Sequence, residues 1–313
     1  MKDFDFIGHR KIFFTISLVL IGVILLAAIF FGVELDIQFK GGAIAEYTYT
    51  GELDENSVQS TAEAAIGRQV SVQKTQDMAD GSSSIVITLA SDAGLNVEDQ
   101  EKLTSALQEA YADNSIHLLS VDSVEPTMGR EFLMKSLLAV ALASLLIVIY
   151  VAIRFRKIGG MSAGVMAVVA LIHDVIMVFG VFVILRIPLN NNFMAVAITI
   201  IGYSVNDTIV IYDRIRENER LYRNKLSFHE LVNKSIHQSF TRSLNTSITT
   251  VLAMLCVAVV AVVAGVDSIV SFAIPMIVGL VSGFYSTVFI ANPLYVMWQD
   301  HKSKKRLAEK SAK

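Results

Sequence analysis

Cysteine and charged side chains are both scarce in this sequence. Cys256 is the only cysteine among 313 residues, so an internal disulfide or a metal site built from several cysteines is excluded. Charged residues make up 18% of the chain and hydrophobic residues 53%, which is more apolar than an ordinary soluble domain. The phosphate-binding motif of many ATPases, Gly-x-x-x-x-Gly-Lys followed by Ser or Thr, is also missing. The composition favours a membrane protein that does not hydrolyse ATP.

The hydrophobic residues are gathered into six runs. A helix needs about 20 apolar residues to cross the hydrocarbon core of a bilayer, and each run is about that long or longer. The first run follows a basic start, but it exceeds the roughly 7–15 apolar residues of a secretory signal, so we expect it to remain as an anchor. The sequence therefore predicts an all-α bundle of six membrane helices, with kinks expected at Pro275 and Pro293 of the last. The six predicted spans are Ile12–Phe31, Phe132–Ile153, Met161–Leu185, Phe193–Tyr212, Thr246–Ala264 and Ile269–Trp298.

Lysine and arginine are concentrated on one side of these spans. If the amino terminus is cytoplasmic, segments 1–11, 154–160, 214–245 and 299–313 are cytoplasmic too, and they contain 19 of the 26 basic residues. The positive-inside rule therefore predicts that both termini are cytoplasmic. Segment 33–131, which has 18 of the 29 acidic residues, is then extracytoplasmic.

The chain is thus predicted to have four parts. Residues 1–32 form the amino terminus and first span, 33–131 an external domain, 132–298 the other five spans with their cytoplasmic loop 214–245, and 299–313 a basic tail. We expect the tail to fix the topology; contact with anionic membrane lipid or ribosomal RNA is the alternative. The sequence contains no recognisable nucleic-acid-binding module.

The external segment has the pattern of a small α/β domain. Alternating strands are predicted at Ala43–Tyr49, Val70–Lys74, Ser84–Leu89 and Ile116–Val124, and two helices begin after the capping residues Asp54 and Asn96. The order β-α-β-β-α-β is the ferredoxin-like plan. Because no catalytic constellation accompanies it, we expect a domain that binds or moves, and a protein that is not an enzyme.

Few ionisable residues lie within the predicted spans or at their entrances, and three of them suggest a function. Asp174 lies near the middle of the third, Asp207 follows Asn206 in the fourth, and Arg242 lies at the entrance of the fifth. Such groups are costly in a membrane and usually mark function. We expect Asp207 and Arg242 to face one wet cleft between antiparallel helices, where the carboxylate binds and releases a proton. A static ion pair is the alternative for these two, and a hydrogen-bonded carboxylate that organises the bundle is the alternative for Asp174.

Several strings in the chain are distinctive enough to compare with known families. The fourth-span string 202–218 contains Asn-Asp-Thr followed by Asp-Arg-x-Arg-Glu-Asn, and further distinctive strings occur at 170–174 and 242–247. Together with the Phe39-Lys40-Gly41-Gly42 element, which matches a Phe-x-Gly-Gly pattern, they resemble the SecF family of the bacterial SecD–SecF protein-export complex. One departure is that Gln38 stands where the family usually has aspartate, with Asp36 two residues earlier.

The resemblance implies a plan like half of a resistance-nodulation-division transporter, located in the bacterial cytoplasmic membrane. It implies pairing with SecD and association with the SecYEG channel. It also implies use of the proton-motive force to help a translocating preprotein complete its export, without a cofactor or metal. Alternatives are a free-standing proton-coupled exporter of lipids or small molecules, and a purely structural scaffold of the translocon. The residues that the resemblance singles out are Asp207 and Arg242 for the proton pathway, with Asp174 and Asn206 grouped beside them, and Phe39, Gly41, Gly42, Asp213 and Arg214 as family motif residues.

Overall fold

The computed structural model describes residues 4–76, 83–89, 94–156, 159–222 and 225–311. Its helices are α1 (Arg10–Phe31), α2 (Ile37–Lys40), α3 (Glu55–Ile66), α4 (Val97–Ala110), α5 (Pro126–Arg154), α6 (Gly160–Ile184), α7 (Asn191–Leu221), α8 (Phe228–Val263), α9 (Asp267–Ser286) and α10 (Asn292–Ser311). Its strands are β1 (Gly42–Tyr49), β2 (Val70–Gln76), β3 (Ser83–Leu89) and β4 (His117–Val124).

Six helical segments in the described part of the chain are long and apolar enough to cross a membrane. They are α1, α5, α6, α7, α8 and the continuous run formed by α9 and α10. Each coincides with one of the six predicted hydrophobic runs, although α6 and α8 end one residue before the predicted ends. The chain is therefore a mostly helical, multi-pass membrane protein with one small antiparallel sheet, and the predicted number of spans is confirmed at the level of length and composition.

The two ends of this bundle differ. Residues 4–9 pack against the start of α8, where Phe6 N donates to Asn233 Oδ1 at 2.9 Å. The connection between α7 and α8 and the end of α10 lie at this same end, which we call the terminal side. The strands lie at the opposite end, which we call the domain side.

Helices α7 and α8 continue well past the apolar runs on the terminal side. Segment 214–245, predicted as a loop, is helical on both sides of a short connection at 222–227. Ser227 caps α8: its hydroxyl accepts from Glu230 N, and the Glu230 carboxylate accepts from Ser227 N. Hydropathy marks only the apolar part of each helix, so it does not detect these polar extensions.

The sixth span widens into a π-helical turn at Thr287–Ala291, between α9 and α10. Pro293 follows two residues after this turn; a proline has no N–H to donate, and its ring crowds the carbonyl four residues earlier. The wider turn accommodates it, and the buried Asn292 side chain donates to Thr287 O at 2.7 Å. The structure thus contains an irregularity next to one of the two predicted prolines, and α9 continues through Pro275.

Helix α9 lies at the centre of the bundle, in contact with α6, α7 and α8. Glycines make this close packing possible: a Cβ atom at Gly283 would lie 3.2 Å from Ser204 Cβ, and one at Gly279 would lie 2.6 Å from Ile200. Helices α1 and α5 leave most of their apolar surface exposed, as expected for helices at the lipid boundary.

The four strands form an antiparallel sheet in the order β2-β3-β1-β4. Helices α3 and α4 pack on one face, where the side chains of Tyr47, Ile87 and Leu103 are fully buried. Asp54 and Asn96 cap the two helices through Ser57 N and Asp99 N, as predicted. The predicted strands and helices of this domain are confirmed, with ends shifted by one or two residues.

A short stem ties this domain to the loop before α7. Leu189 N donates to Glu34 O at 2.9 Å, and Asp36 N donates to Leu189 O at 3.0 Å. Asn191, the first residue of α7, donates its N–H to Gln38 Oε1 at 3.3 Å. Asp36 also caps α2 by accepting from Gln38 N. Residues 34–38 therefore connect the α/β domain directly to the start of the helix that contains Asp207.

The Phe-x-Gly-Gly element seats the domain on the membrane bundle. Phe39 is buried against the helices, with its ring 5.9 Å from that of Phe132. Gly41 and Gly42 have φ angles of 80° and 128°, which side chains rarely allow. A Cβ atom at Gly42 would also lie 2.7 Å from Leu89 O of β3. Both glycines are therefore required by the backbone where the stem enters β1.

Candidate functional site

Asp174 on α6 is completely buried and accepts three serine hydroxyls. Ser204 of α7 and Ser286 of α9 donate to Oδ2 at 2.8 and 2.7 Å, and Ser282 of α9 donates to Oδ1 at 2.6 Å. This carboxylate therefore joins three spans by hydrogen bonds. The geometry agrees with the interpretation that Asp174 organises the bundle.

His173 is also buried, next to this network. Its Nδ1 lies 3.2 Å from Asp174 Oδ1, and its ring stacks on Tyr285 of α9 at 6.0 Å. In the described residues Nε2 has no hydrogen-bond partner. The imidazole is therefore held by one nitrogen and by its stacking contact.

Asp207 on α7 has a different environment. It is 3% exposed, and Oδ2 has no hydrogen-bond partner in the part of the chain that the structure describes. On α8, the Ser243 hydroxyl lies close to this carboxylate, and the Arg242 guanidinium interacts with it electrostatically. No salt bridge joins Asp207 and Arg242, so the static ion pair considered from the sequence is not formed here. A buried carboxylate with an unpartnered oxygen is costly, and this sets Asp207 apart from the fully hydrogen-bonded Asp174.

An open cleft of about 620 Å³ leads from the terminal side towards Asp207, between α7 and α8. Val210, one turn along α7 from Asp207, and Arg242 both line it. Arg242 is exposed and forms no ion pair with any residue described. Water in this cleft would come within one helical turn of the buried carboxylate.

The family motif residues Asp213 and Arg214 lie in the wall of the same cleft. Asp213 pairs with Arg154 of α5 at 3.0 Å and with Arg216 at 2.8 Å. The Arg214 Nε donates to Gln238 Oε1 of α8 at 2.7 Å. These interactions fix the spacing of α5, α7 and α8 around the cleft.

The predicted residues are not all brought together. Asn206 is exposed and its side chain points away from that of Asp207, because adjacent residues of a helix point about 100° apart. Phe39, Gly41 and Gly42 lie on the domain side, far from the cleft. Sequence reasoning missed the serine partners of Asp174; the only signal was a row of small residues on the sixth span, which reads equally well as packing. Among the described residues, no group of three or more His, Cys, Asp or Glu could hold a metal ion.

The fold and the site define a multi-pass membrane protein with one extramembrane α/β domain and two buried carboxylates in its helix bundle. A profile described as protein export membrane protein SecD/SecF, C-terminal, matches residues 103–301. The protein translocase subunit SecF of Anaerolinea thermophila is 33% identical over 301 residues, covering 94% of this chain and 94% of that one. The chain therefore belongs to the SecF family of protein translocase subunits.

The chain is also similar to one part of longer proteins. SecDF of Bacillus subtilis is 33% identical, and the match covers 98% of this chain but 40% of that protein. The crystal structure of SecDF from Thermus thermophilus, titled a translocon-associated membrane protein, superposes with a TM-score of 0.78 at 28% identity. That match covers 95% of this chain and 39% of the other.

Proposed function

We propose that this chain is a proton-driven accessory subunit of the Sec translocase, which acts with SecD to help exported polypeptides complete translocation. Its family membership supports the accessory role. The observation that carries the proton-linked part is Asp207: a buried carboxylate with an unpartnered oxygen, beside an arginine that lines an open cleft. In this proposal Asp207 takes up and releases the proton, and Arg242 sets the carboxylate's affinity for it.

Asp174 has a supporting role in this proposal. The hydrogen bonds of Asp174 to α7 and α9 hold these helices around Asp207. Protonation of Asp207 then removes a negative charge next to α8. One proton crossing a potential of about 100 mV releases about 2.3 kcal/mol. That free energy is enough to shift two nearly balanced arrangements of the bundle.

The stem provides the route from this site to the external domain. Asp207 lies 16 residues along α7 from Asn191, roughly 24 Å at 1.5 Å per residue, and Asn191 is hydrogen-bonded to Gln38 of the stem. A displacement of α7 is therefore passed to the Phe-x-Gly-Gly element and the sheet. We propose that this domain is ferredoxin-like and extracytoplasmic, and that its movement acts on the SecYEG-bound preprotein.

A polar face on α7 and α8 supports SecD as the partner within the membrane. Asn206 and Asn245 are exposed there, and the hydroxyls of Thr246 and Thr249 bond only to their own helix. An amide without a partner is costly in hydrocarbon. The long SecDF relatives contain a SecD portion in the same chain, and we propose that the equivalent helices cover this face.

The alternative of a free-standing exporter has less support. Tyr47 and Tyr49, which could have lined an aromatic substrate cavity, are buried in the core of the external domain.

The test is export of a preprotein in cells whose own copy of this protein has been replaced by Asp207→Asn. We expect late-stage export to fall to the level seen with an uncoupler, while the variant accumulates and binds SecD normally. Arg242→Lys keeps the positive charge but loses the planar guanidinium group, so we expect a partial loss of export.

Asp300→Asn is the matched control, because Asp300 is exposed on α10. Cells that contain this variant should export the preprotein normally. Wild-type export by Asp207→Asn that remains sensitive to the uncoupler would remove Asp207 from the proton pathway. A loss of the protein itself would instead support a structural role.

A further inference from the structure

A groove of about 1150 Å³ lies between α6 and α10 on the terminal side of the bundle, away from Asp207. We call it the α6–α10 groove. Its floor is apolar, and one wall comes from Val165 and Val169, which lie four residues apart on one face of α6. Both side chains are partly exposed, so the groove is open to the surrounding lipid.

The face of α10 in this groove changes character along the helix. Leu294, Met297 and Trp298 are followed at helical spacing by Lys302 and Lys305. From Leu294 to Lys305 the helix advances roughly 16 Å. The groove is therefore apolar where it enters the bundle and basic at its outer end.

The basic end has unpaired positive charge. Arg156, just before α6, faces Lys302 and Lys305 across the groove. Among the described residues none of the three forms an ion pair, and no carboxylate lines the groove. The amino-terminal end of α6, a helix of 25 residues, lies at the same place and adds a favourable dipole for an anion.

We propose that the α6–α10 groove binds an anionic phospholipid. The phosphate lies between Arg156, Lys302 and Lys305, and the acyl chains follow Val165 and Met297 towards the bilayer centre. A free phosphate would leave the apolar floor unused. Phosphatidylcholine also has a phosphate, but its own ammonium group offsets that charge, so it would leave the positive charge of the groove uncompensated. Each basic residue near a membrane surface favours an anionic headgroup by about fivefold in affinity.

Trp298 makes the proposal directly testable, because it is the only tryptophan in the chain and lines this groove. It is 50% exposed, so a lipid in the groove can touch it. The full chain is reconstituted in dioleoylphosphatidylcholine vesicles. Phosphatidylglycerol or phosphatidylcholine with brominated acyl chains is then added at increasing mole fraction, and quenching of tryptophan fluorescence is recorded.

We expect brominated phosphatidylglycerol to reach half-maximal quenching at a mole fraction several-fold lower than brominated phosphatidylcholine. Lys302→Gln combined with Lys305→Gln should abolish that difference. Lys304→Gln is the matched control: Lys304 is exposed on the same helix but does not line the groove, so the preference should persist.

Three results would overturn the proposal. Equal quenching by the two lipids would show an unselective lipid boundary. Absence of quenching by either lipid would show that protein covers the groove. A preference that survives in the double variant would place the anion elsewhere.

Discussion

Replacing Asp174 by asparagine should destabilise the bundle, whereas the same change at Asp207 should not. Asp174 accepts hydrogen bonds from Ser204, Ser282 and Ser286. Asparagine keeps one acceptor oxygen, but its NH₂ group cannot accept from a hydroxyl. At least one serine therefore loses its acceptor, and the others exchange a charged acceptor for a neutral one.

The size of this effect follows from the hydrogen bonds. A hydrogen bond to a charged group contributes about 1.5–3 kcal/mol and a neutral one about 1 kcal/mol. Losing one and weakening two destabilises by roughly 2.5–7 kcal/mol. The serines recover part of this by bonding carbonyls of their own helices, which leaves about 2–4 kcal/mol. With an unfolding entropy of about 2.1 cal/mol/K per residue, a chain of 313 residues then loses about 3–6 °C in Tm.

Asp207→Asn should behave differently because Oδ2 has no hydrogen bond to lose. An amide nitrogen at that position breaks no hydrogen bond, asparagine keeps one oxygen for the neighbouring Ser243 hydroxyl, and the substitution removes a buried charge. We expect its Tm to stay within about 2 °C of the wild type, since changes that break no contact are usually within about 0.5 kcal/mol.

Both variants are measured by gel filtration after heating, with detection of a fused fluorescent protein. Ser282→Ala serves as a coupled control: it should lower Tm in the wild type but have little further effect in Asp174→Asn, because both changes remove the same hydrogen bond. Equal Tm losses for Asp174→Asn and Asp207→Asn would refute the assignment of different roles to the two carboxylates.

Two further predictions concern the domain junction and the topology. Gly42→Ala should lower Tm and weaken the pairing of β1 with β3, because the φ of Gly42 is 128° and the new Cβ would meet a carbonyl of β3. Gly202→Ala is the control, because a Cβ atom there would meet nothing within 4 Å. Single cysteines placed at Ser105 and Lys225 in a Cys256→Ala background should label differently in intact cells with an impermeant thiol reagent. Labelling at 105 and not at 225 is expected, and the reverse pattern would invert the proposed orientation.

The sequence predicts the helices and strands of this protein well because their signals are local. Each span is a run of apolar residues, and each domain helix begins after a capping side chain such as Asp54 or Asn96. The positions of Asp174 and Asp207 within spans could also be predicted, because a charged residue in an apolar run is visible in the sequence itself.

The contacts that give Asp174 and Asp207 different environments could not be predicted from the sequence. The partners of Asp174 come from helices 30 and more residues away in the chain, so their convergence depends on tertiary packing. The missing ion pair at Asp207 depends likewise on the rotation of α8, which places Arg242 in the cleft. The parts of α7 and α8 that flank the connection at 222–227 are polar, so hydropathy could not reveal that they are helical.

The central claim is that Asp207 changes its protonation state during the working cycle. Infrared difference spectra of the SecD-bound protein in membranes, recorded while the bulk pH is lowered, report a buried carboxyl group directly. We predict a protonated-carboxyl band that appears on acidification in the wild type and in Asp300→Asn, and is absent from Asp207→Asn. Retention of that same band in Asp207→Asn would contradict the account, because another group would then carry the proton.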